Sequence, residues 1–87
     1  MNSMYSTCDL SLAAFLVIQG FPVKTVSKAG PRGTFAFHQD QALQDLVMGW
    51  INQSAFMIDP RAFLAAIKDL KSLVVRMSDG DILECRG

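Results

Sequence analysis

Charged residues are scarce in this 87-residue sequence. They make up 18% of the chain, against a usual share of about 25%, and the formal net charge is zero. Strong nonspecific binding of nucleic acid depends on an excess of Lys and Arg, so a neutral chain argues against that class of function. A short chain with little charge also tends to leave apolar area exposed, and an exposed apolar patch is most often a contact surface.

Side chains that carry catalysis or hold metals are few as well. His38 is the sole histidine, and Cys8 and Cys85 are the two cysteines, near opposite ends of the sequence. Zinc needs about four nitrogen or sulfur ligands, or three with an open position, and these three residues lack that spacing. No nucleophile motif surrounds either cysteine, and helix caps and turns account for the most conspicuous carboxylates. We therefore expect no enzymatic activity and no cofactor.

Long apolar runs are also missing. The longest, residues 12–18, is far too short to span a bilayer, and the first residues do not combine a basic region with an apolar run as a signal peptide does. We expect a soluble cytoplasmic protein. In a reducing cytosol, Cys8 and Cys85 are more often free thiols than a disulfide, although one bridge between the chain ends stays open.

The clearest local signal is the start of a helix at Asp59-Pro60. Asp59 can cap the free N–H groups, and Pro60 suits the first helical position. Arg61, Lys68 and Lys71 then fall on one side of the helix, which is either an ordinary solvated surface or a contact with an anion or a partner. The opposite, apolar side consists of Phe63, Ala66, Ile67, Leu70, Leu73 and Val74.

Two further helices are predicted earlier in the chain. Asp9 can cap a helix over residues 10–19, and Gly20 follows where a left-handed residue is expected. This helix is apolar nearly all round, so it is either the central helix of the fold or a contact with another chain. Residues 40–52 show the spacing of an amphipathic helix.

Strand-forming residues flank turn residues at two places. Residues 21–28 and 34–38 lie on either side of a glycine and proline turn, which predicts a β-hairpin, and residues 55–58 predict a short third strand. Asp79-Gly80 is a strong hairpin turn, so we expect a C-terminal hairpin of residues 74–77 with 82–85. The alternative is that the last helix continues to Met77 and the tail is irregular.

Together these signals predict a single α+β domain over residues 1–87. Three helices pack on a short antiparallel sheet in the order α-β-β-α-β-α, followed by the C-terminal hairpin. No internal repeat, low-complexity segment or linker divides the chain.

Several segments resemble a known family when they are taken as a set. They read YSTCDLSLAAFL with QGF at residues 5–21, TFAF at residues 34–37, and DPRAFL with LKSL at residues 59–73. Over residues 4–74 the chain resembles a bacterial and phage family known as domain of unknown function 5659. The resemblance implies a compact cytoplasmic domain of a bacterial host cell, often encoded on phages or other mobile elements. It supplies no established activity and no catalytic residues, and residues 75–87 look like an addition to the family core.

We expect a non-enzymatic interaction protein that binds a protein complex of the host, for example as an anti-CRISPR-type inhibitor. The alternative is a nucleic-acid-binding accessory protein, and a homo-oligomer formed through exposed apolar surface is left open. The basic residues form one patch if the hairpin and the last helix are neighbours. The residues expected to contact the partner are Lys24, Lys28, Arg32, Arg61, Lys68 and Lys71.

Overall fold

Residues 3–52 and 56–85, which the computed structural model describes, form three helices and four strands. None of these helices is long and apolar enough to cross a membrane. The predicted α+β class, with three helices on an antiparallel sheet, is confirmed. The elements in chain order are β1 (Met4–Thr7), α1 (Leu10–Ile18), β2 (Val23–Ala29), β3 (Arg32–His38), α2 (Gln41–Ile51), α3 (Pro60–Arg76) and β4 (Ile82–Glu84).

The strands form one antiparallel sheet in the order β1-β3-β2-β4. The predicted hairpin is confirmed as β2 and β3, with Gly30 at a φ of 60° in the turn, a conformation that glycine adopts without strain. Val26 lies opposite Phe35 and Val23 opposite Phe37, and all four side chains are buried. Side chains alternate between the two faces of a strand, so Phe35 and Phe37 share a face, and the register shift between Val23 and Thr25 brings Val23 to the same face as Val26. These four define the face of the sheet that the helices cover.

Helix α1 is buried on nearly all sides and is the central helix of the fold. Its residues 12–16 expose at most 5% of their surface, and Asp9 caps its start by accepting hydrogen bonds from two backbone N–H groups of the first turn. The ring centroid of Phe15 lies 4.9 Å from that of Trp50 and 4.7 Å from that of Phe56. These separations are typical of favourable aromatic pairs.

Helix α3 begins and packs as predicted. Asp59 caps it and Pro60 is its first residue. Buried side chains recur every four residues as Ala66, Leu70 and Val74, which places them on one face of the helix. The three basic residues predicted on the opposite side are all exposed.

The short strand predicted at residues 55–58 is wrong. From Phe56 onward the segment has no strand pairing, and Ala55 lies outside the described residues. The ring of Phe56 packs on Phe15 and lies so close to Gly49 of α2 that a Cβ there would be 2.7 Å from its Cζ atom. The apolar pattern of this segment therefore reflects packing against helices and not sheet formation.

The predicted C-terminal hairpin is also wrong. Helix α3 continues through Arg76, and β4 pairs with β2. Val74 is held in the helix because it is the last buried residue of the apolar face, and this tertiary packing overrides the strand preference of its β-branched side chain. The alternative prediction was a helix that continues to Met77, followed by an irregular tail. Its helix end lies one residue beyond the observed end at Arg76, and its tail is wrong, because the tail forms strand β4.

The loop between α3 and β4 is anchored to the turn of the hairpin. The backbone N–H of Gly80 donates to the carbonyl of Lys28 at 2.8 Å, and the N–H of Gly30 donates to the Asp79 carboxylate at 2.6 Å. The Asp79-Gly80 turn predicted from the sequence thus connects a helix to a strand. Its hydrogen bonds place β4 alongside β2.

Gly33 allows the C-terminal half of α3 to approach β3 closely. A Cβ at Gly33 would lie 2.5 Å from Cγ2 of Val74 and 3.1 Å from its Cγ1. Real side chains do not approach this closely, so the contact requires glycine at this position.

We expect Gly33→Ala to lower the free energy of unfolding by about 1–3 kcal/mol, because the added methyl group overpacks a filled contact. Val74→Ala removes both clashing atoms. In the Val74→Ala background, Gly33→Ala should therefore lower the free energy of unfolding by less, with a coupling energy of about 0.5–3 kcal/mol between the two sites. Chemical denaturation of the four variants measures this cycle. Strictly additive losses would show that the two residues do not clash.

Candidate functional site

A cleft of about 460 Å³ lies between α3 and the β2–β3 hairpin. The C-terminal half of α3, the turn and start of β3, and the segment that joins β1 to α1 all contribute to it. We call it the α3–hairpin cleft. Most of its lining is apolar and consists of Leu10, Pro31, Phe35, Ile67, Val74 and Val75.

The charged residues that line this cleft are both cations. Arg32 stands at the start of β3 and Lys71 on α3, and both are exposed. Asp9, which adjoins the cleft in sequence, uses its carboxylate to cap α1. The α3–hairpin cleft therefore combines an apolar lining with local positive charge, on a chain whose formal net charge is zero.

The polar groups of the cleft do not form a catalytic set. Cys8 lines the cleft as an exposed free thiol, and its Sγ lies 3.2 Å from Oγ1 of Thr34. A reactive cysteine commonly has a histidine beside it, but His38 lies in a different cleft together with Lys24 and Asp40. Among residues 3–52 and 56–85, no group of three potential metal ligands occurs.

The structure brings together two of the six basic residues expected to contact a partner. Arg32 and Lys71 share the α3–hairpin cleft. Lys24 lines the cleft that holds His38, and Lys68 lines another cleft on α3 that also contains a carboxylate. Arg61 is exposed in the first turn of α3, outside the α3–hairpin cleft.

The remaining basic residue, Lys28, bonds to the end of α3. Its Nζ donates to the carbonyl oxygen of Met77 at 2.9 Å. Met77 is the C-terminal cap of α3 and has an extended backbone, so its carbonyl has no partner within the helix and can accept a hydrogen bond from a neighbouring side chain. Lys28 therefore fastens the hairpin to α3.

The sequence did not indicate the apolar part of the site. Pro31 was assigned to a turn, and Val75 lies off the apolar face of α3, where it is 69% exposed. The signal available in the sequence was Val75 itself, an apolar side chain on the polar side of an otherwise amphipathic helix. It points to a contact surface only when the neighbouring hairpin is known.

A second apolar cleft, of about 340 Å³, lies between α2 and β1. Tyr5, Val47 and Met48 line it together with Ile51. In the described part of the chain its lining includes two glutamines and no charged residue, so it lacks the positive charge that Arg32 and Lys71 give the α3–hairpin cleft.

The three helices and the four-stranded antiparallel sheet define a small α+β domain. The chain belongs to the family described as Domain of unknown function (DUF5659), whose model matches residues 2–76 of the 87. The resemblance noted over residues 4–74 is thereby confirmed. No curated protein and no solved structure gave a match. The family match ends at the last residue of α3, so β4 lies beyond it.

We expect Lys28→Met to lower the free energy of unfolding by about 1 kcal/mol, because it removes a hydrogen bond from a charged donor and leaves the aliphatic stem in place. Lys68→Met, which removes an exposed ammonium elsewhere on the surface, should change it by less than about 0.5 kcal/mol. Thermal or chemical denaturation compares the two. Equal effects would mean that the bond to Met77 adds nothing to stability.

Proposed function

We propose that this chain is a small, non-enzymatic interaction protein that binds a partner protein. The α3–hairpin cleft supports the proposal most directly, because it offers apolar surface and charge on the outside of a domain that has its own buried core. Exposed apolar area with a charged rim is typical of protein contact sites.

The chemistry of the cleft favours binding over catalysis. Among the residues that the structure describes, its lining contains no carboxylate and no histidine, so these residues offer no general acid and base pair. The exposed thiol of Cys8 has a threonine hydroxyl as its hydrogen-bond partner, which is not a base. These features support the absence of enzymatic activity in the proposed function.

The partner we favour is a protein complex of the bacterial host. This part of the proposal rests on the resemblance to a family often encoded on phages and mobile elements, and an anti-CRISPR-type inhibitor is one concrete version of it. A protein of this kind acts by occupying a surface of its target. A chain of 87 residues suffices for that task.

The alternative, a nucleic-acid-binding accessory protein, draws less support. Such a protein tracks phosphates with a run of neighbouring cations. Here the cations are divided: Arg32 and Lys71 line one cleft, and Lys68 and Arg76 line another that also contains Asp69. Lys28 is bonded to Met77. A nucleic-acid function predicts affinity that falls steeply with salt and is lost on charge reversal at Lys68 and Lys71.

Affinity capture from the native host tests the proposed function. The full chain, tagged at one end, is expected to recover one protein or complex in near-stoichiometric amount, and the purified components should then re-form the assembly in solution. Native mass spectrometry gives the stoichiometry. Recovery of no stoichiometric protein, from a bait that is folded and monomeric, would contradict the proposal.

The anti-CRISPR version has its own measurement. The chain is expressed in a bacterium whose CRISPR system targets a phage. The plating efficiency of that phage on this strain is compared with its plating efficiency on a strain that expresses the Arg32→Glu/Lys71→Glu variant. Restored plating with the unmodified chain alone supports this version. Unchanged immunity in each CRISPR type tried would remove it and leave the broader protein-binding proposal to the capture experiment.

A further inference from the structure

The geometry points to an acidic peptide segment as the ligand of the α3–hairpin cleft. One bulky apolar side chain of the segment enters the cleft, and carboxylates beside it pair with Arg32 and Lys71. This inference rests on the proposed function, since it specifies which part of a partner protein the cleft recognises.

The apolar residues that line the cleft determine the apolar part of the ligand. Leu10, Phe35 and Ile67 are partly or fully buried and extend the core to the cleft, so an apolar side chain placed there would continue the packing of the core. The volume of about 460 Å³ lies within the range of about 300–1,000 Å³ typical of ligand sites. The cleft is thus large enough for a bulky side chain and part of its neighbours.

The two cations that line the cleft determine the polar part of the ligand. Arg32 and Lys71 are the charged lining residues, and within residues 3–52 and 56–85 no carboxylate lines the cleft to neutralise them. A guanidinium binds a carboxylate through two parallel hydrogen bonds, and the flexible lysine adds a mobile point charge. An acidic ligand is therefore complementary, and a basic one would be repelled.

Exposure favours a peptide over a small amphipathic acid. Cys8, Pro31 and Val75 all line the cleft and are all exposed, as are both cations. Small-molecule sites typically bury 70–90% of the ligand, which such an open cleft does not do. A peptide can leave its backbone in solvent and insert only one side chain.

A displayed library of random linear peptides, selected against the full-length chain, provides the first test. We expect enriched sequences to carry a large aliphatic or aromatic residue with Asp or Glu within two positions of it. Enrichment of basic sequences, or of sequences without acidic residues, would overturn the inference. A failure to enrich any sequence from a library that yields ligands for a control domain would overturn it as well.

Charge reversal tests whether the two cations are responsible. Arg32→Glu with Lys71→Glu should weaken binding of a selected, fluorescently labelled peptide about tenfold or more, which corresponds to about 1.4 kcal/mol. The matched control is Lys24→Glu with Arg61→Glu, which changes the net charge equally at cations outside the cleft and should alter affinity less than about threefold. Equal losses in both variants would show that only the net charge matters.

A second variant keeps the test valid if the double reversal unfolds the chain. Val75→Asp substitutes an exposed side chain and places a carboxylate in the cleft, so it should also weaken the acidic peptide about tenfold or more. Circular dichroism establishes that each variant is folded. Unchanged affinity of a folded Val75→Asp variant would contradict the proposed location.

Alkylation of the cysteines locates the bound peptide. Cys8 lines the cleft, whereas Cys85 follows β4 and does not line it. A saturating peptide should slow the reaction of Cys8 with iodoacetamide at least about threefold and leave Cys85 unaffected, since a bound ligand excludes reagent from the surface it covers. Protection of neither thiol, despite peptide binding, would place the site elsewhere.

The outcomes separate this inference from the proposed function. A captured partner that binds the Arg32→Glu/Lys71→Glu variant as tightly as the unmodified chain leaves the protein-binding function standing and overturns the cleft as its site. Decanoate that protects Cys8 at lower concentration than the selected peptides would identify a small-molecule site and overturn the peptide assignment.

Discussion

Helix α1 has almost no polar face, and the rest of the fold is arranged around that constraint. Residues 12–16 are buried together, so neighbours must cover the helix on several sides. The sheet contributes Phe35 and Phe37 to the same core, α3 lies along α1, and the rings of Trp50 and Phe56 pack against Phe15. In a domain of this length, such coverage requires nearly every element.

The α3–hairpin cleft lies at the place where that coverage ends. Its lining residues Leu10, Phe35 and Ile67 belong to the core or pack against it, and the exposed Val75 and Arg32 line the same cleft. The cleft is therefore an edge of the core that remains open to solvent, and a bound side chain would extend the buried cluster. This continuity leaves apolar surface exposed next to the core of a small domain.

The elements that could be predicted from the sequence are those specified by nearby residues. Asp9 and Asp59 mark helix starts because a cap acts within one turn, and the turn at Gly30 identifies the hairpin. Strand β1 (Met4–Thr7) was missed because four residues carry too short an alternation to recognise. The cleft was missed because it depends on α3 meeting the hairpin, and Arg32 and Lys71 are 39 positions apart in the sequence.

Strand β4 has a consequence for how the protein behaves among its own copies. The family match ends with α3, and without residues 77–85 the seven residues of β2 would form an outer edge of the sheet with unpaired N–H and C=O groups. Such edges recruit strands from other molecules and promote aggregation. The three residues of β4 replace a long edge with a short one, so the segment that follows the family match leaves fewer backbone groups of the sheet edge available to strands of other molecules.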